Sequence, residues 1–237
     1  MVRSSLFKAV FYFWTALFCI LYLPLMWLGR DDLIAFQRLW SHGVLVLLKV
    51  FMNISLEIKG QENISKGGAL YAMKHQSSFD TFIMHTIVKK PAFVMKKELI
   101  KIPLYGSFCL KTGMIPVDRD GGLKELKTLI QKSAKAIKEN RQVIIFPEGS
   151  RINPGDKAEY QPGIFGIYKY TKVPVIPVAL NSGLYWPKRG HLIAGGVITF
   201  EFLKAIEPDK KKADFMKILE DVIESASSNL IKNPTIS

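Results

Sequence analysis

His75 stands in the stretch YAMKHQSSFD, five residues before Asp80. An imidazole takes a proton from a hydroxyl near neutral pH when a carboxylate holds its other ring nitrogen. Side chains five apart on one helix point about 140° apart, so a regular helix would separate the pair. If a helix opens at Ser77, His75 lies in the turn before it and can fold over its first turn to meet Asp80. Ser77-Ser78-Phe79-Asp80 also has the S-x-x-D form of a capping box. On that reading alone His75 is an ordinary loop histidine. The two readings coexist if one carboxylate oxygen caps the helix while the other orients the ring. The helix N-terminus beside them favours an anion.

A second group lies in VIIFPEGSR, residues 143–151. A buried strand leaves through Pro147 and Gly149, which puts Glu148 and Arg151 at its C-terminal end, where open α/β sheets place ligands. Glu148 can accept from hydroxyls, and Arg151 suits a phosphate. A surface turn with a solvated ion pair is the plain alternative. The chain has no G-x-S-x-G elbow, no P-loop and no G-x-G-x-x-G, which disfavours serine hydrolysis, nucleotide phosphoryl chemistry and a dinucleotide cofactor. A base without a nucleophile points to transfer onto a substrate hydroxyl. His42, His85 and His191 lack acidic or cysteine neighbours at ligand spacing, so no metal is expected, and His85 reads as structural.

Positioning these residues requires a sheet. β-like runs at 54–59, 69–73, 92–95, 114–117, 143–146, 175–180 and 197–203 alternate with helical patterns at 77–88, 123–140, 164–171 and 213–231. Residues 97–112, with Pro103 and Gly106, read as broken helix and loop. This alternation predicts an α/β fold with a mixed, largely parallel sheet flanked by helices. A composition change near residues 52–60 predicts an N-terminal unit, 1–52, and a catalytic domain, 53–237.

The N-terminal unit is hydrophobic. Residues 9–28 carry no charge over 20 positions, enough to cross about 30 Å of hydrocarbon as a helix. No small-x-small cleavage site follows, so a signal peptide is set aside. Residues 33–51 are apolar but carry Arg38, His42 and Lys49 within about 40° of one another on a helix. Such a stripe suits an interfacial helix better than a lone span. A helical hairpin dipped into one leaflet is expected, with Asp31 or Asp32 capping its second helix. A two-span hairpin is the alternative, and basic flanks put both ends on the cytoplasmic side.

Net charge is +13, and hydrophobic residues make up 49%. That excludes a globally disordered chain and favours an anionic partner. Lys124, Lys127, Lys132, Lys135, Lys138 and Arg141 read as a solvated helix face that can also meet anionic head groups, worth about 1 kcal/mol per residue. Nucleic acid is set aside: no motif supports it, and it leaves the apolar N-terminus unexplained. Cys19 and Cys109 have no ligand or disulfide spacing, which fits a reducing compartment.

Four blocks in order resemble the glycerolipid acyltransferase family, in particular its bacterial 1-acylglycerol-3-phosphate acyltransferases. They are KHQSSFD, GMIPVDR (113–119), FPEGSR (146–151) and VPVIPVAL (173–180). MKKELIKIPLYG (95–106) and NSGLYW (181–186) add to the likeness, which covers roughly residues 50–205. Family members more often carry asparagine just before the histidine and threonine in the third block, where this chain has Lys74 and Ser150. Lys74 is expected to place a charge beside the base and favour its neutral form.

The resemblance implies that His75 deprotonates the 2-hydroxyl of lysophosphatidate, which attacks an acyl thioester directly, and that Asp80 orients His75. It further implies that Arg119 and Arg151, with Lys96, hold the phosphate, that Glu148 contacts the glycerol, and that Gly149 allows close approach. The donor is acyl-coenzyme A or acyl carrier protein, with no cofactor, at the cytoplasmic face of a bacterial inner membrane. The fourth block reads first as a core strand. Lyso-ornithine lipid, another lysophospholipid and glycerol-3-phosphate stay open as acceptors. A non-catalytic basic membrane-binding protein is the reading from another class.

Overall fold

The computed structural model describes residues 1–119 and 121–235. Seven strands form one sheet: β1 (Ile54–Lys59), β2 (Ala69–Met73), β3 (Pro91–Lys96), β4 (Ile115–Val117), β5 (Gln142–Ile145), β6 (Val175–Leu180) and β7 (Gly196–Phe202). Their order is β1-β7-β6-β2-β5-β3-β4. All neighbours are parallel except β6 and β7. The sheet is thus mixed and largely parallel, as the alternation of patterns predicts. The helices are α1 (Val2–Leu25), α2 (Arg30–Leu47), α3 (Asp80–Ile87), α4 (Tyr105–Lys111), α5 (Gly122–Lys138), α6 (Gly163–Thr171) and α7 (Lys212–Lys232).

β2 shows how the period-2 pleat divides the core. Tyr71 and Met73 pack on one side with Phe7, Val44, Phe82 and Ile83 of α1, α2 and α3. Leu70 and Ala72 pack on the other with Leu129, Ile164, Phe215 and Leu219 of α5, α6 and α7. A parallel central strand buried on both faces has no polar alternation, and all five residues of β2 are buried. The fourth block supplies β6, also buried throughout.

α1 and α2 form a hairpin whose close approach depends on Gly43: a Cβ there would sit 2.2 Å from the Trp14 ring. The hairpin shares the core of the sheet. Phe7 is fully buried and meets Trp186 edge to face. Ser4 Oγ accepts the Leu192 N–H at 2.9 Å, and Tyr22 meets Phe108 edge to face. The outward side of α1 exposes Tyr12, Phe13, Ile20 and Leu23, and Trp27 just beyond its end is exposed as well.

Three local expectations change. Neither Asp31 nor Asp32 caps α2; its N-cap is Gly29 without a side-chain bond, and Asp31 pairs instead with Lys90 Nζ at 2.6 Å. Arg38 is no interfacial charge. Its guanidinium donates to the carbonyls of His85, Val88 and Lys89, satisfying the orphan acceptors at the end of α3. Arg141 leaves the basic face as well: it is buried and donates to Gly113, Pro91 and Thr112 carbonyls. Burial pushes its guanidinium down to about 10.

Candidate active site

β2, β5 and β6 are parallel, so their C-terminal ends share one edge of the sheet. His75 follows β2, Phe146 follows β5 and Ser182 follows β6. The sequence thus brings three separate stretches to one edge, where ligands of open α/β sheets bind.

The helix after His75 starts at Asp80, three residues later than the pattern predicts. The cause is polar. Ser77 Oγ accepts the N–H of Phe79 at 3.1 Å, and Asp80 Oδ2 accepts the N–H groups of Gln76 and Ser77, each at 2.8 Å. Residues 77–79 are therefore held in a turn, which lets His75 fold back over the helix start. His75 Nδ1 lies 3.1 Å from that same Oδ2. The other oxygen, Oδ1, takes the Ser182 hydroxyl at 2.6 Å. One oxygen thus both holds the turn and orients the ring, while the helix itself has no side-chain cap, its N-cap being Phe79. Asp80 is fully buried, and its four donors specify its position completely.

The His75 ring stacks on Phe146, centroids 3.9 Å apart. Its main chain is also fixed: the N–H donates to Glu148 Oε2 at 2.8 Å, and the carbonyl accepts from Ile152 N–H at 2.8 Å. The ring lines a cavity of about 410 Å³. Phe93, Phe108, Cys109 and Met114 supply apolar walls, and Lys96, Arg119, Arg151 and Lys188 supply cations. Arg151 Nη1 donates to Ser78 Oγ at 2.8 Å, which aims the guanidinium. Lys188 Nζ donates to the Arg151 carbonyl at 3.0 Å. An apolar cavity with a few placed charges suits an amphiphile with an anionic head.

Three expected placements are revised. Glu148 is absent from the cavity wall. Its carboxylate is buried, with Oε1 paired to Lys74 Nζ at 2.7 Å and Oε2 on the His75 N–H, so no oxygen is presented to a glycerol. Burial pushes this carboxyl up to about 7, against the pull of Lys74. Lys74 does not sit beside the imidazole. It follows the side of β2 that carries Leu70 and Ala72, and its ammonium meets Glu148 and Glu224. Gly149 does line the cavity, but space is not what demands glycine. A Cβ would meet only Gln161 Cγ at 3.5 Å, whereas φ of +72° lies in the left-handed region.

Ser182, Phe146, Ser78 and Lys188 are site residues that spacing alone does not reveal. Ser182, Phe146 and Ser78 do fall within quoted blocks. His85 lines the cavity too, with Nδ1 3.0 Å from the Phe82 carbonyl. Burial pushes its imidazole down to about 4.

Comparisons with known proteins bear on the family and the fold. A family model described as acyltransferase matches residues 55–181, more than half of the chain. A 1-acyl-sn-glycerol-3-phosphate acyltransferase of Pseudomonas aeruginosa is 32% identical over 67% of this chain and 62% of its own length. One from Cocos nucifera is 28% identical over 73% of this chain and 56% of its own. The match thus spans less than two thirds of either relative. The crystal structure of the 1-acyl-sn-glycerophosphate acyltransferase PlsC from Thermotoga maritima superposes with a TM-score of 0.81 over 98% of both chains at 22% identity, which shows the shared fold. The chain belongs to the acyltransferase family.

Proposed function

We propose that this member of the acyltransferase family moves a fatty acyl group from a thioester to the 2-hydroxyl of lysophosphatidate, giving phosphatidate. The observation that carries the reading is the His75 imidazole, held by Asp80 on one nitrogen and lining a cavity of mixed apolar and cationic character. The names of the relatives support the choice of acceptor.

In this reading the second ring nitrogen, Nε2, takes the proton of the acceptor hydroxyl as its oxygen attacks the thioester carbonyl. A C–O bond forms and a tetrahedral oxyanion results. Its collapse breaks the C–S bond, and His75 returns the proton to the departing thiolate. Asp80 stabilises the imidazolium between the two steps. No acyl-enzyme and no cofactor take part. Arg151 and Arg119, with Lys96, receive the phosphate, and the apolar walls receive an acyl chain. Glu148 acts on His75 and not on the glycerol. The donor is acyl-coenzyme A or acyl carrier protein.

We further infer that the protein sits at the cytoplasmic face of a bacterial inner membrane, with α1 and α2 in one leaflet. α1 touches the body from Ser4 through Tyr22. A helix tied to the body along its length is disposed to lie at the interface, with its exposed side chains in the lipid.

The test supplies labelled acyl-coenzyme A or acyl carrier protein to the purified protein in lipid. Lysophosphatidate, lysophosphatidylcholine, lyso-ornithine lipid and glycerol-3-phosphate are the acceptors. Label in phosphatidate alone is expected. Label in another product moves the reaction to that acceptor, and no product with either donor removes the catalytic reading.

A further inference from the structure

Lys74 is a fully buried lysine, its side chain 2% exposed. An ammonium out of water is costly unless carboxylates surround it. Two do: Glu148 Oε1 lies 2.7 Å from its Nζ and Glu224 Oε1 2.6 Å. Glu224 comes from α7, 150 positions further along the chain. Neither α7 nor Glu224 falls within the residues that the family model matches. The Tyr160 hydroxyl donates to the same Glu224 oxygen at 2.9 Å, so that oxygen faces a cation and a donor together. Glu148 turns its remaining oxygen to the His75 N–H.

These contacts form an unbroken series from α7 through Lys74 and Glu148 to the main chain of His75. Without Glu224, the Lys74 ammonium has Glu148 as its one counter-charge among the described residues. The pair is then free to pull inward, toward the gap left at α7, and Glu148 Oε2 leaves the His75 N–H. The ring depends on that main chain for its distance to Asp80 and its stack on Phe146.

We propose that Glu224 is a positioning residue for acyl transfer: through Lys74 and Glu148 it fixes the backbone of His75, and with it the base. The proposal rests on the acyl-transfer reading of His75. It gives the C-terminal helix a part in the site at the opposite face of the sheet, relayed through Lys74 and Glu148, although none of its residues lines the cavity.

The test compares Glu224→Gln, Glu224→Ala, the double variant Lys74→Asn/Glu224→Gln, and His75→Ala with the wild type. Each is assayed below its own unfolding temperature. Both single Glu224 variants are expected to lower kcat about tenfold or more while KM for lysophosphatidate stays within about threefold. Hydrogen exchange at the His75 amide is expected to rise about tenfold, with the amides of β5 unchanged. The double variant removes the ammonium together with its second counter-charge, leaving a neutral side-chain amide before the histidine to donate to Glu148. It is expected to recover kcat to within about threefold, a coupling that a loss of stability alone would not produce. Wild-type kcat and wild-type His75 exchange in Glu224→Ala overturn the proposal. So does a kcat loss that the double variant does not restore. If the wild type acylates none of the four acceptors with either donor, the acyl-transfer reading fails by itself, and the His75 exchange rates still decide whether Glu224 fixes that backbone.

Discussion

Asp80 uses both carboxylate oxygens: Oδ2 faces the imidazole and two backbone N–H groups, and Oδ1 takes the Ser182 hydroxyl. This explains why a five-residue spacing, wrong for one helix face, yields a hydrogen-bonded dyad. Asp80→Asn removes the charge that supports an imidazolium. A loss of roughly 10³-fold or more in kcat is expected, measured with lysophosphatidate at saturation; activity within a few-fold of wild type would refute the orienting role. Arg151 contributes through charge-assisted bonds to a phosphate. Arg151→Ala is expected to weaken an anionic acceptor by about 2 kcal/mol, roughly 30-fold in KM. A neutral lysolipid should feel little of it, and equal effects on both would remove the phosphate contact. Gly149→Ala tests the backbone instead of the cavity. With room for a Cβ but φ of +72°, it should cost about 1–2 kcal/mol of stability, seen as a lower midpoint in urea.

Between elements, two buried titratable groups pull stability in opposite directions with pH. Glu148, in the loop after β5, has a folded value near 7 against an ordinary 4.5, because burial disfavours its charge. Its contribution is full below pH 4.5 and is lost as pH rises through about 7, a change of about 3 kcal/mol. His85 on α3 has a folded value near 4 against an ordinary 6.5, again through burial. Its effect has the other sign: stability falls as pH drops from 6.5 toward 4, by a similar amount of about 3 kcal/mol. Urea unfolding should therefore show His85→Phe gaining stability as pH falls from 7 to 5, and Glu148→Gln losing it. Slopes of the same sign in both variants would contradict this assignment. The elements themselves were legible in sequence because parallel strands read as short apolar runs and α5 as a clean 3.6-residue period. The start of α3 was not, since three side-chain bonds hold Ser77 to Phe79 out of the helix. Nor was the role of Arg38 or Arg141, because a basic residue in a helical pattern looks solvated until the carbonyls it reaches are known. His75, Asp80 and Arg151 stood out by spacing and residue type, but a plain loop histidine and a surface turn fitted the same local pattern, and only the four blocks in order gave them roles. Glu224 had no local signal at all: its only tie to the site crosses 150 positions of sequence.

At the scale of the whole molecule, one face gathers the apolar hairpin, and the cavity at the site edge of the sheet holds four cations, Lys96, Arg119, Arg151 and Lys188. The exposed Phe13 and Trp27 present large apolar rings to the surroundings of the hairpin. Each is worth about 1.5–3 kcal/mol if buried in lipid. Phe13→Ser/Trp27→Ser should therefore lower binding to anionic vesicles by about tenfold or more, read by co-sedimentation, and unchanged binding would place the membrane face elsewhere. Everything proposed for the interior depends on the imidazole at the centre of the cavity. The most direct test is the rate of phosphatidate formation by His75→Ala beside the wild type, on protein of matched folded content. A loss of roughly 10³-fold or more is expected for a base that moves the reacting proton. A His75→Ala rate within about tenfold of the wild type would contradict the account at its centre.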